Sequence, residues 1–329
     1  MKLSLDSIGY GGYFTAPGQS TTLEDTMQRA ARMGYDGVCI YAHRPIGFPL
    51  DIKADRRKRL QDLAQQLGLA FPAVVCCTNF QDGNHVLLYP QEKEILYVMS
   101  AIDLAADLQI PIVRVLAAFW GYFQNPYANQ GYGYPAFESR SRRVSRNEDY
   151  LEAWHQVRAG LREVSLYAKD KGVTLALQTH PEITGNNDET LVLIDEVGCD
   201  NLKVGLDLPL MESAEPDFVR KTVLKMKGMM VYSHTISLAR VQTIGGAPYG
   251  WEEVSPGDPR DPLPWATFVQ ACKDIGYTGY LSHEQCSPVI VKGHKLGGLD
   301  TIDERYLEAR VYLRGLLDRL GCYSGRRKI

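Results

Sequence analysis

Four short apolar segments of this chain each end in a polar side chain that can bind a metal ion or move a proton. The four end residues are Gln178, Asp207, His234 and Glu284. Apolar runs of this length predict buried strands, and polar strand ends are costly to place in an apolar core. In a parallel (β/α) barrel the carboxyl ends of the strands converge on the mouth, where active sites lie. The feature therefore favours a barrel with a functional site built from these four residues.

A glycine stands between a predicted helix and a predicted strand at six places along the chain. These glycines are Gly34, Gly68, Gly172, Gly198, Gly228 and Gly276. Glycine just past a helix adopts the left-handed conformation that ends the helix. Segments 2–8 and 112–118 supply two further strands, which gives eight in total. Because strands and helices alternate, we predict a parallel sheet closed into a single (β/α)8 TIM barrel over residues 1–329.

The composition excludes several classes of protein. A formal net charge of −3 over 329 residues offers no basic field for nucleic acid. No apolar stretch is long enough to span a bilayer, and the first residues run into a predicted strand rather than a signal peptide. The seven cysteines include no CxxC pair, and several lie in apolar segments, which is typical of free thiols in a reducing compartment. We expect a cytoplasmic protein with no nucleic-acid partner and no membrane partner.

Two segments interrupt the alternation of strands and helices. Segment 119–150 follows the fourth strand and is rich in aromatic residues, and segment 238–264 follows the seventh strand and is rich in glycine and proline. Both leave the carboxyl end of a strand, so we predict two loops over the mouth that bind a ligand or a partner. The alternative is that they cover a helix edge. Residues 286–329 are interpreted as a C-terminal extension of the same domain.

The four strand-end residues have two interpretations. Two carboxylates, an imidazole and an amide oxygen suit a divalent ion such as Mn²⁺, Mg²⁺ or Zn²⁺. Alternatively, these side chains cap helices or hydrogen-bond one another, as buried polar groups usually do. Because all four occur at corresponding positions of successive strands, the metal site is the favoured hypothesis.

The segments LALQTH, VGLDLP, VYSHTI and GYLSHE resemble strands five to eight of the xylose-isomerase-like barrels, and AARMGYDGVCIYAHRP resembles their first helix and second strand. That superfamily contains sugar phosphate isomerases/epimerases, ketose 3-epimerases and inosose dehydratases, and the resemblance covers nearly the whole chain. It implies one divalent metal ion, Mn²⁺ first and Mg²⁺, Co²⁺ or Zn²⁺ as alternatives. The implied ligands are Gln178, Asp207, His234 and Glu284.

The chain departs from the family pattern at the first ligand. Gln178 stands where the family usually has a glutamate, and Leu210 and Leu238 stand where epimerases tend to have a histidine and an acidic residue. In the epimerases the two ligand glutamates also serve as acid and base, and an amide cannot take a proton. The C-glycoside deglycosidases, a subgroup of the superfamily, are similar to this chain in the EQCSP motif and the aromatic-rich segment. Their barrel subunit pairs with a small β-sandwich subunit, and they cleave 3-oxo-glucosides.

Two residues are predicted to be catalytic. His180 is two positions beyond Gln178 and points to the same side if the strand continues. Its ordinary pKa near 6.5 suits a general acid or base. The alternative is a histidine held by a carboxylate at the mouth. Glu284 is the second candidate base, in addition to its predicted role as a metal ligand.

Five residues are predicted to bind the substrate. His43 and Arg44 follow the second strand, and a salt bridge within their loop is an equal alternative to contact with sugar hydroxyls. Arg114 lies in the fourth strand, where its charge requires an acidic partner. Trp120 and Tyr122 belong to the aromatic segment after that strand.

The function predicted first is metal-dependent cleavage of an oxidised (3-oxo) glycoside by elimination, after removal of a proton next to the sugar carbonyl. The alternative is an isomerase or epimerase that interconverts ketoses, and a second alternative is a non-catalytic barrel that binds a ligand or partner. The expected partners are a small sugar or glycoside substrate and either a small β-sandwich subunit or further copies of the chain.

Overall fold

Eight parallel strands form a closed barrel, as the alternation of strands and helices predicted. The computed structural model describes residues 1–80, 90–118, 147–180, 183–242, 248–292 and 295–326. Its strands are β1 Lys2–Asp6, β2 Gly37–Tyr41, β3 Val74–Val75, β4 Ile112–Val115, β5 Thr174–Gln178, β6 Leu202–Gly205, β7 Met230–Thr235, β8 Ser237–Gln242, β9 Pro248–Val254, β10 Tyr280–His283, β11 Ile290–Val291 and β12 Lys295–Leu296. The barrel order is β1–β10–β7–β6–β5–β4–β3–β2, and pairing of β1 with both β2 and β10 closes it.

The described residues contain eight α-helices. They are α1 Leu23–Met33, α2 Ala54–Leu67, α3 Pro90–Asp107, α4 Asn147–Asp170, α5 Asn187–Val197, α6 Pro216–Lys225, α7 Trp265–Asp274 and α8 Leu299–Arg319. The start of α1 is capped by the Thr22 side chain, which accepts a hydrogen bond from the Asp25 backbone N–H. Its end is set by Gly34, whose φ of 80° few other residues adopt without strain.

The inside of the barrel contains a hydrogen-bonded polar layer beneath the mouth. Ser4 Oγ lies 2.6 Å from Ser282 Oγ, and Cys39 Sγ lies 3.4 Å from the same hydroxyl. The hydroxyl of Tyr232 donates to Cys39 Sγ across 3.4 Å. All four residues are buried, so these bonds replace those that water would make. The main apolar core lies outside this layer, between the strands and the helices.

Of the two segments predicted as mouth loops, the structure describes most of one and only the end of the other. Segment 238–264 contains most of an antiparallel hairpin, β8–β9, which leaves the carboxyl end of β7. In segment 119–150, residues 119–146 lie outside the described residues, and α4 begins at Asn147. The segment after 286 contains the β11–β12 hairpin and α8, which packs against β1, β10 and α1. Within the described ranges, no helix combines the length and the apolar character that crossing a membrane requires.

The opposite end of the barrel is closed by the last described residues. Asp36, just before β2, accepts hydrogen bonds from the Leu3 N–H at 2.9 Å and the Arg326 N–H at 2.7 Å. The Tyr323 hydroxyl donates to the same carboxylate at 2.9 Å. Through these hydrogen bonds, Asp36 holds the C-terminal segment against the amino ends of β1 and β2.

Candidate metal centre

The four predicted ligands come together below the barrel mouth. Gln178 is the last residue of β5, Asp207 follows β6, His234 lies in β7 and Glu284 follows β10, and all four are buried. His234 Nδ1 lies 3.3 Å from Glu284 Oε2 and 3.9 Å from Asp207 Oδ2. The amide nitrogen of Gln178 donates to Asp207 Oδ2 and lies 3.4 Å from His234 Nδ1. The order of the strands thus brings together residues that are far apart in sequence; their role as ligands stays a prediction.

A fifth residue, Asp6 at the end of β1, lies on the other side of the His234 ring. Its Oδ2 atom is 3.2 Å from His234 Nε2, and Asp6 is 0% exposed. Asp6, His234 and Glu284 each place one possible ligand atom within 4.8 Å of the others. The sequence analysis missed Asp6 because it extended the first strand to residue 8. The signal was present, since β1 also ends in a carboxylate.

Burial determines the charge of this cluster. It raises the pKa of Asp6 to about 6, opposed by a hydrogen bond from the Ile8 N–H and by the charge of Arg114. It also raises the pKa of Asp207 and lowers that of His234, so the imidazole is neutral at neutral pH. Three buried carboxyl groups thus surround the imidazole, and among the described residues Arg114 lies close to one of them, Glu284.

Arg114 has the acidic partner that its position in β4 required. Its Nη2 atom lies 3.6 Å from Glu284 Oε1, and its Nη1 donates to the carbonyl of Cys76 at 2.9 Å. Because the guanidinium is 2% exposed and fixed by both contacts, it orients the carboxylate of Glu284. The predicted contact of Arg114 with substrate stays a prediction.

The donor set fits a divalent cation. His234 Nδ1 faces two carboxylate oxygens, an arrangement that a cation between them would stabilise. Carboxylate oxygens, an imidazole nitrogen and an amide oxygen suit Mn²⁺, Mg²⁺ or Zn²⁺. These residues can therefore form a site for a divalent metal ion.

The alternation argument for His180 does not apply, because β5 ends at Gln178. The backbone N–H of His180 donates to the Gln178 carbonyl at 2.7 Å, so the chain turns there instead of continuing as a strand. His180 is nonetheless buried beside the end of β5. Its catalytic role remains a prediction.

The other predicted substrate residues lie at the rim. His43 Nε2 is 3.0 Å from the Tyr97 hydroxyl, and burial lowers the pKa of His43 to about 4. Arg44 is exposed and makes a two-bond salt bridge to Asp51 at 2.6 and 2.9 Å, which is the loop interaction given above as the alternative. Trp120 and Tyr122 lie outside the described residues.

A buried carboxyl group from the mouth hairpin supports the segment after Glu284. Both oxygens of Glu253 in β9 lie 3.2 Å from the backbone nitrogen of Cys286 and accept from it. Burial holds the pKa of Glu253 well above its usual range. Sequence reasoning missed Glu253 because it treated residues 238–264 as a loop.

Sequence comparison finds a family model that matches most of the chain and curated relatives that match a smaller part of it. A family model described as a xylose isomerase-like TIM barrel matches residues 27–308. Fructoselysine 3-epimerase from Shigella flexneri is 29% identical over 117 residues, and that from Escherichia coli O157:H7 is 28% identical over 117 residues. Each of these matches covers 35% of this chain and 42% of the relative. The chain therefore matches less than half of the length of these curated relatives.

Solved structures match nearly the whole chain at low sequence identity. D-psicose 3-epimerase with D-tagatose from Clostridium cellulolyticum H10 has a TM-score of 0.66 at 18% identity, over 96% of this chain and 99% of that one. The IOLI protein with a binding zinc atom has a TM-score of 0.67 at 15% identity, over 97% and 99%. These similarities show a shared fold. Together with the family model, they confirm the resemblance seen in the strand ends: the chain belongs to the xylose isomerase-like TIM barrel family.

Proposed function

We propose that this chain is a divalent-metal-dependent enzyme that removes a proton next to the carbonyl of a keto-sugar and returns it, which isomerises or epimerises the sugar. The observation that carries the proposal is the convergence of Gln178, Asp207 and Glu284 on His234 Nδ1. A divalent ion held there supplies Lewis acidity that polarises a sugar carbonyl. The names of the relatives, which include fructoselysine and D-psicose 3-epimerases, support this class of reaction.

Glu284 is the favoured proton carrier among the described residues. It lies beside Arg114, whose guanidinium is 3.6 Å away and holds its carboxyl group in one orientation. A carboxylate positioned in this way can accept a proton from the carbon next to a carbonyl. His180 is the second candidate, because it is buried next to the end of β5.

Gln178 limits what the site can do. Its amide nitrogen donates to Asp207 and lies 3.4 Å from His234 Nδ1, so its carbonyl oxygen would face a cation there only after the amide group turns over. An amide takes no proton, so a second acid–base group on the opposite face of the sugar must come from another residue. This departure favours the second candidate function, elimination from an oxidised glycoside, since elimination requires one base and a leaving group. The relatives support reprotonation more strongly than cleavage.

The substrate follows from this proposal, whereas the partners and the location stay predictions. A small keto-sugar or its glycoside is the proposed substrate. A small β-sandwich subunit, further copies of the chain and a cytoplasmic location remain as the sequence analysis predicted them.

The test is incubation of the Mn²⁺-loaded protein in D₂O with a panel of ketoses and 3-oxo-glycosides. We expect deuterium to enter next to the carbonyl of one ketose with a change of configuration, and chelation to stop it. Asp207→Asn should abolish the exchange, and Asp200→Asn, at an exposed pair with Lys169, is the matched control. Cleavage without epimerisation would favour elimination. Absence of both reactions across the panel would contradict the proposal and favour a non-catalytic barrel.

A further inference from the structure

The two ring nitrogens of His234 face different surroundings. Nδ1 points to the predicted ligands, as described above. Nε2 faces two oxygens on the other side, the Tyr232 hydroxyl at 2.8 Å and Asp6 Oδ2 at 3.2 Å. All three side chains are buried. Which nitrogen carries the single proton of the neutral ring decides which side can bind a cation.

The surroundings of Nε2 favour a proton there. Asp6 Oδ1 accepts from the Ile8 N–H at 2.9 Å, and Asp6 Oδ2 has no donor. If Nε2 carried a lone pair, a buried acceptor would face that lone pair across 3.2 Å with nothing between them. A proton on Nε2 lies beside both oxygens, and the Tyr232 hydroxyl then donates its own proton to Cys39 Sγ at 3.4 Å. This arrangement satisfies the ring N–H, the phenol and the thiol, and it places the Nε2 proton beside Asp6 Oδ2, which accepts no other hydrogen bond.

We propose that Asp6 is a positioning residue and not a metal ligand. Its carboxylate keeps the proton of His234 on Nε2, and the lone pair on Nδ1 then faces the predicted cation site. Partners of this kind fix the tautomer of a metal-binding histidine and raise its affinity for the ion. The affinity part of this inference rests on the proposed metal site, whereas the tautomer can be measured without any metal.

The first experiment reads the tautomer directly. The metal-free protein, labelled with ¹⁵N-histidine, is examined by NMR, and the His234 signal is identified by its loss in His234→Asn. We expect a proton on Nε2 in the wild-type protein. Asp6→Asn keeps an oxygen for the Ile8 N–H and places an amide donor against Nε2, so we expect the proton to move to Nδ1. A wild-type proton on Nδ1, or an unchanged tautomer in a folded Asp6→Asn protein, would overturn the inference.

The second experiment measures Mn²⁺ binding to the metal-free protein by calorimetry. We expect Asp6→Asn to weaken binding by about 10- to 100-fold, the usual effect of losing such a partner. Tyr232→Phe removes the other neighbour of Nε2 and should have the smaller effect. If Tyr232→Phe weakens binding more than Asp6→Asn, the phenol and not the carboxylate positions the ring, and the inference fails. If the wild-type protein binds no Mn²⁺ while its tautomer still depends on Asp6, the proposed metal site fails and the inference stands.

Discussion

Two aspartates at opposite ends of the barrel show how differently one residue type is used. Asp36, at the amino end of β2, is met by backbone N–H groups of Leu3 and Arg326 and by the hydroxyl of Tyr323. Asp6, at the carboxyl end of β1, has one oxygen with no donor. Hydrogen-bond donors around Asp36 offset the cost of burying its charge, whereas the donor-free oxygen of Asp6 faces Nε2 of His234. From this comparison we propose that Asp36 stabilises the closed end of the barrel and that Asp6 orients His234 towards a cation site at the mouth.

The largest expected effect is the loss of metal binding from the mouth. His234→Ala removes the atom around which Glu284 and Asp207 are arranged, so we expect Mn²⁺ affinity to fall by more than about 100-fold, beyond the effect of losing a supporting partner. We expect the variant to fold with lower stability, because removing the fully buried ring leaves a cavity. Calorimetric titration and a thermal melt measure the two quantities. An unchanged Mn²⁺ affinity would mean that the ion binds elsewhere, and the mouth would then not be the ion-binding end of the barrel.

At the closed end, the expected effect is on stability alone. Asp36→Ala leaves the Leu3 and Arg326 N–H groups and the Tyr323 hydroxyl without their acceptor, so we expect a loss of about 3 kcal/mol in the free energy of unfolding. Urea titration measures this loss, and Mn²⁺ affinity should not change in the folded protein. Tyr323→Phe removes one of the donors and should cost less than Asp36→Ala. If Asp36→Ala kept full stability but bound Mn²⁺ more weakly, Asp36 would act in metal binding and not in stability, contrary to this prediction.

A third prediction concerns pH at the rim of the mouth. The pKa of His43 falls from 6.5 in the unfolded chain to about 4 in the fold because the ring is buried. Between these values the unfolded chain binds more protons, so stability falls as the pH drops through this window. Because the side chain keeps part of its surface in water, we expect a loss of about 2 kcal/mol. Urea titrations at several pH values should show this dependence, and His43→Gln should flatten it. An unchanged slope in the variant would mean that other groups cause it.

The smallest expected effect tests the buried carboxyl group of the hairpin. Because burial holds the pKa of Glu253 well above its usual range, we expect its carboxyl to be neutral, and Glu253→Gln replaces it with a neutral group of the same shape. The amide oxygen can still accept from the Cys286 N–H. We expect the free energy of unfolding to change by less than about 1 kcal/mol. A much larger loss in urea titration would show that Glu253 is ionised and paired with a cation.

The fold and most of the candidate site could be predicted because their signals are local. Each of Gln178, Asp207, His234 and Glu284 interrupts an apolar run, and glycines mark the ends of several helices. Asp6 was not predicted, because Ser7 and Ile8 continue the pattern of the first strand past it.

Other features depended on backbone geometry that the sequence does not display. The hairpin β8–β9 was interpreted as a loop because its segment is rich in glycine and proline, which strands usually avoid. The direction of His180 was inferred from strand alternation, but the chain turns directly after Gln178. Burial and hydrogen-bond satisfaction, which distinguish Asp6 from Asp36, arise only when distant strands are brought together.

The central claim is that Asp207 and Glu284 at the mouth, unlike Asp36, bind a cation together with His234. A crystal structure of the Mn²⁺-loaded protein, with anomalous scattering recorded at the manganese edge, tests it most directly. The account predicts one anomalous peak bonded to His234 Nδ1, Asp207 and Glu284, with Asp6 on the far side of the imidazole ring. No peak at the mouth, or a peak on the Nε2 side bonded to Asp6, would contradict it.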